Sequence, residues 1–210
     1  MPVLRDKESF RATCHYLNVI QARRRLPHEY PEGRWLFLTW HLQGCLPPRL
    51  YPPGHVKGGA AFVWMDRHLD SARSGPAFLR NEQVAQVVLQ SMFDRRDLGY
   101  FDLDPFVLMP NHMHVLLLPK IPPPRLLQAV KGASAREANR VLGLTGRSFW
   151  QRETYDHWVR SEAEWVRIAS YIEMNPVRAG LVQCAGDYRW SSAGSAGREA
   201  SRAADACVQS

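Results

Sequence analysis

Residues 106–119 read FVLMPNHMHVLLLP, two apolar runs with a histidine pair between them. In a β-strand, positions i and i+2 project to the same face. His112 and His114 therefore point one way and Met113 the other. Two imidazoles side by side on one face of an apolar strand are spaced to chelate one metal ion, whereas a single histidine there reads as a satisfied core residue. The stretch also fixes the local topology. Residues 99–110 read as one strand and 111–119 as the next, with Met109-Pro110-Asn111 as the bend between them.

Working outward from this pair, "RWLFLTWHL" (34–42) is aromatic and β-branched enough for a strand. The Pro- and Gly-crowded segment 46–59 reads as a loop, and "AFVWM" (61–65) as a short strand. Residues 81–96 carry Val84, Val87, Val88 and Met92 at helical spacing behind an Asn81 N-cap. A second helix is expected over 124–143, closed by Gly143, and a strand over 148–160. Ser161 and Glu164 form a capping-box pattern that opens a helix over 162–175, which Pro176 should end or kink. The order β, helix, β, β, helix, β, helix predicts an α+β fold. It would be a ferredoxin-like antiparallel sheet with helices packed mainly on one face. Residues 1–33 read as a basic N-terminal arm, 34–193 as the folded domain and 194–210 as a loose tail rich in Ala and Ser.

Composition narrows the class. The 210 residues include 27 basic and 20 acidic side chains, for a formal net charge of +7. That excess points to a polyanionic partner, nucleic acid being the usual one. Cys14, Cys45, Cys184 and Cys207 are scattered without a CxxC pair, which argues against a zinc ribbon or a disulfide framework. No stretch has the apolar length of a signal peptide or a membrane span, so a cytoplasmic protein is expected.

Two histidines do not complete a site. Tyr171 and Asn175 lie i and i+4 on the last helix and share a face. An amide oxygen at Asn175 would suit a hard cation, and a phenol at Tyr171 would stand one turn away. Packing alone would also account for Tyr171. Lys131, Arg136 and Arg140 on the second helix, the last two forming an i, i+4 basic strip that could equally be a solvated face, and the run Arg23, Arg24, Arg25 are candidates for phosphate contacts. Trp35, Trp40 and Trp64 serve either as core or as stacking platforms for bases. A metal hydrolase is the competing enzyme reading, but no carboxylate stands at ligand spacing near the histidine strand.

Three motifs together, "MPNHMHVLLLP", "FWQRETYDHWVR" and "YIEMNPVRAGLV", resemble the REP-associated tyrosine transposases, Y1 enzymes of the HUH endonuclease group. The resemblance covers roughly residues 34–193. It implies a ferredoxin-like domain that uses Mg²⁺ or Mn²⁺ to cleave and rejoin single-stranded DNA near hairpins such as REP-like palindromes. The cut would pass through a 5′-phosphotyrosine and leave a free 3′-OH. Carried over by position, His112, His114 and Asn175 would hold the metal and Tyr171 would be the nucleophile. Single-stranded DNA and DNA hairpins would be the partners, with no membrane role, and the chain would act as a monomer or homodimer. A hairpin-binding protein without cleavage activity is the alternative from the binding class.

Overall fold

The structure, a computed structural model, describes residues 19–23, 27–46, 59–71 and 75–195. At its centre is a four-stranded antiparallel sheet in the order β4-β5-β3-β6. The strands are β3 (Leu36–His41), β4 (Phe101–Leu108), β5 (His112–Pro119) and β6 (Tyr155–Trp158). Four helices accompany them: α1 (Gly59–Ser71), α2 (Glu82–Asp97), α3 (Pro123–Leu142) and α4 (Glu162–Arg178). Apart from α1, which falls between β3 and α2, the order β3-α2-β4-β5-α3-β6 is the ferredoxin-like βαββαβ unit, so the expected α+β class is what the chain adopts.

Alternation along the two central strands sorts their side chains. Leu36, Leu38 and Trp40 of β3 join Met113, Val115 and Leu117 of β5 in a core shared with Val84, Val88, Met92, Leu126 and Val130 of α2 and α3. The intervening residues Phe37 and Leu116 belong to a second cluster with Phe62 of α1 and Ile172 of α4. The expectation of helices on one face holds for α2 and α3. The other face is not bare, because α1 and α4 cover it. This second layer exists because β3 and β5 are buried on both faces, and the buried face opposite α2 and α3 requires a cover of its own.

Several local expectations meet a different outcome. "AFVWM" is not a strand but lies within α1. Phe62, Asp66 and Leu69 are its buried positions, at spacings of four and three, and a short apolar run cannot be told from a helix segment by eye. The strand expected over 148–160 shrinks to four residues, and Trp150 makes only an isolated bridge to Leu42. Pro176 does not end α4: the helix runs through to Arg178 and closes with Ala179 N–H donating to Asn175 O at 2.9 Å. A proline this near the C-terminal end removes one helical hydrogen bond without the cost of a mid-helix break.

Other signals operate as written. Asn81 Oδ1 accepts from the Gln83 and Val84 amides. Gly143 closes α3 with φ +67, the left-handed conformation in which glycine carries no Cβ penalty. Ser161 Oγ accepts from Glu164 N–H, and the Glu164 carboxylate accepts from Arg160 N–H and His157 Nε2.

Within the expected arm, β1 (Val19–Arg23) and β2 (Pro27–Pro31) pair as an antiparallel hairpin, and Tyr30 is buried in the main core. Arg24 and Arg25 lie outside the described residues, as do residues 196–210 of the expected tail. Residues leading into that tail close the outer edge of β4: Ser191 bridges Val107, and Ser192 N–H donates to Phe106 O at 2.9 Å. Among the described residues, no helix is long and apolar enough to cross a membrane.

Leu38 is fully buried at the middle of β3, between the helices of the main core. Leu38→Ala should destabilise the protein by about 2–5 kcal/mol in equilibrium denaturation. A loss below about 1 kcal/mol would contradict this placement.

Candidate metal and nucleophile centre

His112 and His114 are both completely buried on the face of β5 covered by α1 and α4. Their Nε2 atoms face each other at 3.0 Å. Each ring is held from behind. Asn111 donates its Nδ2 to Leu69 O at 2.9 Å, which leaves its Oδ1 to accept from His112 Nδ1 at 2.7 Å. The proton of His112 therefore sits on Nδ1 and the lone pair on Nε2. His114 Nδ1 lies 2.7 Å from Thr39 Oγ1, its neighbour in register on β3. When the hydroxyl accepts from Nδ1, Nε2 of His114 is also left with its lone pair.

Helix α1 adds a residue that the sequence reading did not single out. Asp66, only 4% exposed, places Oδ1 3.0 Å from His114 Nε2 and 3.8 Å from His112 Nε2. Asp66, His112 and His114 together present three donor atoms within 4.8 Å of one another. One turn on, Asp70 Oδ1 stands 3.8 Å from His112 Nε2. Asn175 of α4 comes to 3.5 Å from His114 Nε2 through Nδ2, and a half-turn of the amide presents Oδ1 to the same point. Asp66 Oδ1, Asp70 Oδ1 and Asn175 Oδ1 are buried without a hydrogen-bond partner. Buried oxygens without partners are costly and rare in folded proteins, and here three converge on two imidazole lone pairs.

This donor set fits a divalent cation. Two ligands ~2.1 Å from an octahedral ion stand ~3.0 Å apart, close to the separation of the two Nε2 atoms. Imidazole alone is softer than Mg²⁺ prefers, but the Asp66 carboxylate and the Asn175 amide bring hard oxygen. Mg²⁺ and Mn²⁺ both suit such a mixture. The electrostatics agree. Burial, followed by the neighbouring His114 and His41, holds His112 well below the ordinary histidine range and keeps it neutral and able to ligate. Burial and the nearby Asp66 charge push the Asp70 carboxyl up to about 7.

Tyr171 is the other member of the centre. Its hydroxyl donates to Asp66 Oδ2. Its ring packs edge-on to Phe37, Phe62 and His114, and the Arg178 guanidinium lies 4.8 Å above it. Tyr155 is placed differently. Its ring packs on Phe62 at 4.6 Å, burial pushes its phenol up to about 12, and among the described residues no hydrogen bond ties it to the histidines or Asp66. A cleft of about 150 Å³ borders the centre and is lined by Asp70, Arg80, Asn111 and His112 among others; Asp66, His114 and Tyr171 do not line it.

The structure thus brings together His112, His114, Asn175 and Tyr171, and leaves Lys131, Arg136 and Arg140 elsewhere. Lys131 Nζ donates to Gln151 O, Arg152 O and Thr154 Oγ1, so its ammonium straps the irregular segment before β6. Arg136 and Arg140 are exposed on α3, behind the sheet as seen from the histidines, and Arg140 is paired with Glu137. Arg23 falls in β1, with no side-chain placement described. Trp40 is core, Trp35 stacks edge-on against Trp165, and Trp64 packs on His68. The signal for the missed carboxylates was present in "VWMDRHLDS". Asp66 and Asp70 are i and i+4, but share a face only once the segment is read as a helix.

Against known proteins, the fold is the one seen in a REP-associated tyrosine transposase solved bound to a REP hairpin. The similarity has a TM-score of 0.50 at 19% identity and covers 82% of each chain. A second solved structure, of a provisionally named transposase from Deinococcus radiodurans R1, aligns at 20% identity and a TM-score of 0.40 over 74% of this chain and 98% of that one. No family model and no curated protein matches the sequence. At these identities the likeness identifies the fold, and the chemistry rests on the residues described above.

The raised Asp70 carboxyl has a consequence for stability in the absence of metal. A carboxyl whose pKa is higher in the folded state contributes stability that is present at low pH and lost as pH rises through the folded value. In EDTA, wild type compared with Asp70→Asn should therefore lose stability from the ordinary carboxylate range up to about pH 7. Urea denaturation of both proteins across that range measures it, and a pH-independent difference would contradict the burial of this group.

Proposed function

We propose that this chain is a metal-dependent, tyrosine-nucleophile DNA endonuclease and strand transferase that acts on single-stranded DNA beside hairpins. The observation that carries the reading is the convergence of two imidazole Nε2 atoms, the orphaned oxygens of Asp66 and Asn175, and a tyrosine hydroxyl bound to that same aspartate. The net charge of +7 supports a nucleic-acid partner. The hairpin follows from the three sequence motifs and from the hairpin-bound protein that shares the fold.

In this reading His112, His114, Asp66 and Asn175 hold Mg²⁺ or Mn²⁺, which would supply charge stabilisation to the non-bridging oxygens of the phosphate. The Tyr171 oxygen attacks phosphorus. The Oη–P bond forms as the P–O3′ bond breaks; the phenolic proton is given up to water, O3′ of the strand to the 5′ side takes one from water and leaves as a 3′-OH, and a 5′-phosphotyrosine remains. One phosphoester replaces another, so the reverse reaction rejoins DNA without a nucleotide cofactor. Arg178, exposed above the Tyr171 ring, and Arg80, exposed and lining the cleft, would meet phosphates near the cut. Arg136 and Arg140, on the far side of the sheet, would serve DNA away from the cut.

Wild type incubated with a hairpin-containing single strand and Mn²⁺ should give a protein–DNA adduct that survives denaturing electrophoresis and is absent in EDTA. Tyr171→Phe has no hydroxyl oxygen to bond phosphorus and should abolish the adduct, while hairpin binding is nearly unchanged. Tyr155→Phe should retain the adduct. Full adduct formation by Tyr171→Phe, or in EDTA, would refute the mechanism. Hairpin binding by wild type without any adduct would leave a binding protein only.

A further inference from the structure

We infer that Asp66 couples the cation to the tyrosine: one carboxylate oxygen serves the metal donors, the other positions the Tyr171 hydroxyl, and neither engagement is independent of the other. The inference rests on the proposed metal centre and assigns Tyr171 a second role, as an outer partner of a metal ligand. The packing restricts how this can work. Phe37, Phe62 and His114 surround the Tyr171 ring and fix its plane, but among the described residues only Asp66 Oδ2 takes a hydrogen bond from its hydroxyl. Asp66 is itself buried, and its Oδ1, 3.0 Å from His114 Nε2, has no hydrogen-bond partner. A carboxylate is a rigid plane, so turning it to improve contact at Oδ1 also moves Oδ2.

Partners that orient a ligating carboxylate strengthen metal binding, and their removal weakens it by about 10–100-fold. Linkage makes the effect reciprocal: whatever factor the hydroxyl adds to metal affinity, the metal adds to the Tyr171–Asp66 bond. The consequence for the reaction is that filling the site tightens the hold on the attacking oxygen before DNA arrives. Asp66 acts through the ion and the tyrosine, and is a positioning residue.

The test needs no DNA. Mn²⁺ titration of the full-length protein followed by electron paramagnetic resonance gives the dissociation constant. Tyr171→Phe should weaken Mn²⁺ binding by about tenfold, and Tyr155→Phe should leave it unchanged. Asp66→Asn should weaken binding at least as much as Tyr171→Phe, and adding Tyr171→Phe to it should have no further effect. Wild-type or tighter Mn²⁺ binding by Tyr171→Phe would overturn the coupling, as would a full additional loss in the Asp66→Asn background. If the Asp66 variant fails to fold or binds too weakly to measure, the contrast between Tyr171→Phe and Tyr155→Phe decides by itself. This measurement is separate from adduct formation: an adduct without coupling removes this inference alone, and coupling without an adduct removes the strand-transfer reading alone.

Discussion

Everything in the centre depends on two imidazole nitrogens held 3.0 Å apart inside a fully buried sheet face. Two lone pairs at that distance repel unless a proton or a cation lies between them. The fold nevertheless fixes them there from behind, through Asn111 on one ring and Thr39 on the other. Both anchors are rigid. Thr39 is the registered partner of His114 on the adjacent central strand, and Asn111 is tied to the backbone of α1 at Leu69 O. Donors held in this way would need little reorganisation to take up a cation.

The rest of the architecture follows from that face. In a ferredoxin-like unit, α2 and α3 fill one side of the sheet and leave the other to be covered. Here α1 and α4 cover it, and each delivers polar groups to an otherwise apolar layer: Asp66 and Asp70 from α1, Tyr171 and Asn175 from α4. The surrounding Phe37, Phe62, Leu116 and Ile172 exclude water from the histidines. Low local polarity strengthens the interaction between carboxylate and cation, and equally raises the cost of leaving either alone.

Much of this was legible in the chain. The two-residue period of a strand puts His112 and His114 on one face, and the four-residue period of a helix does the same for Tyr171 and Asn175. Both relations are local, and both are found in the structure. What sequence reading missed depends on contacts between distant segments. Asp66 lies 46 residues before His112, in an apolar run short enough to pass for a strand, and with that reading its partnership with Asp70 disappears. Lys131 lies on the same helix as the basic pair Arg136 and Arg140 and counts as a phosphate candidate on that ground alone. Whether a lysine faces solvent or a neighbouring loop is decided by tertiary packing, and here the carbonyls of Gln151 and Arg152 claim it. The expectation that Pro176 ends or kinks the helix rests on a rule that weakens in the last turn, where few hydrogen bonds remain to be lost.

The central claim is that Tyr171, beside a cation held by His112 and His114, forms a covalent bond to DNA. Its most direct measurement is mass spectrometry of the wild-type protein after reaction with a hairpin-bearing single strand and Mn²⁺, followed by nuclease and trypsin. The account expects nucleotide mass on the peptide spanning residues 168–178, which contains Tyr171 and no other tyrosine. Nucleotide mass on the peptide spanning residues 153–160, which carries Tyr155, or on no tyrosine at all, would contradict it.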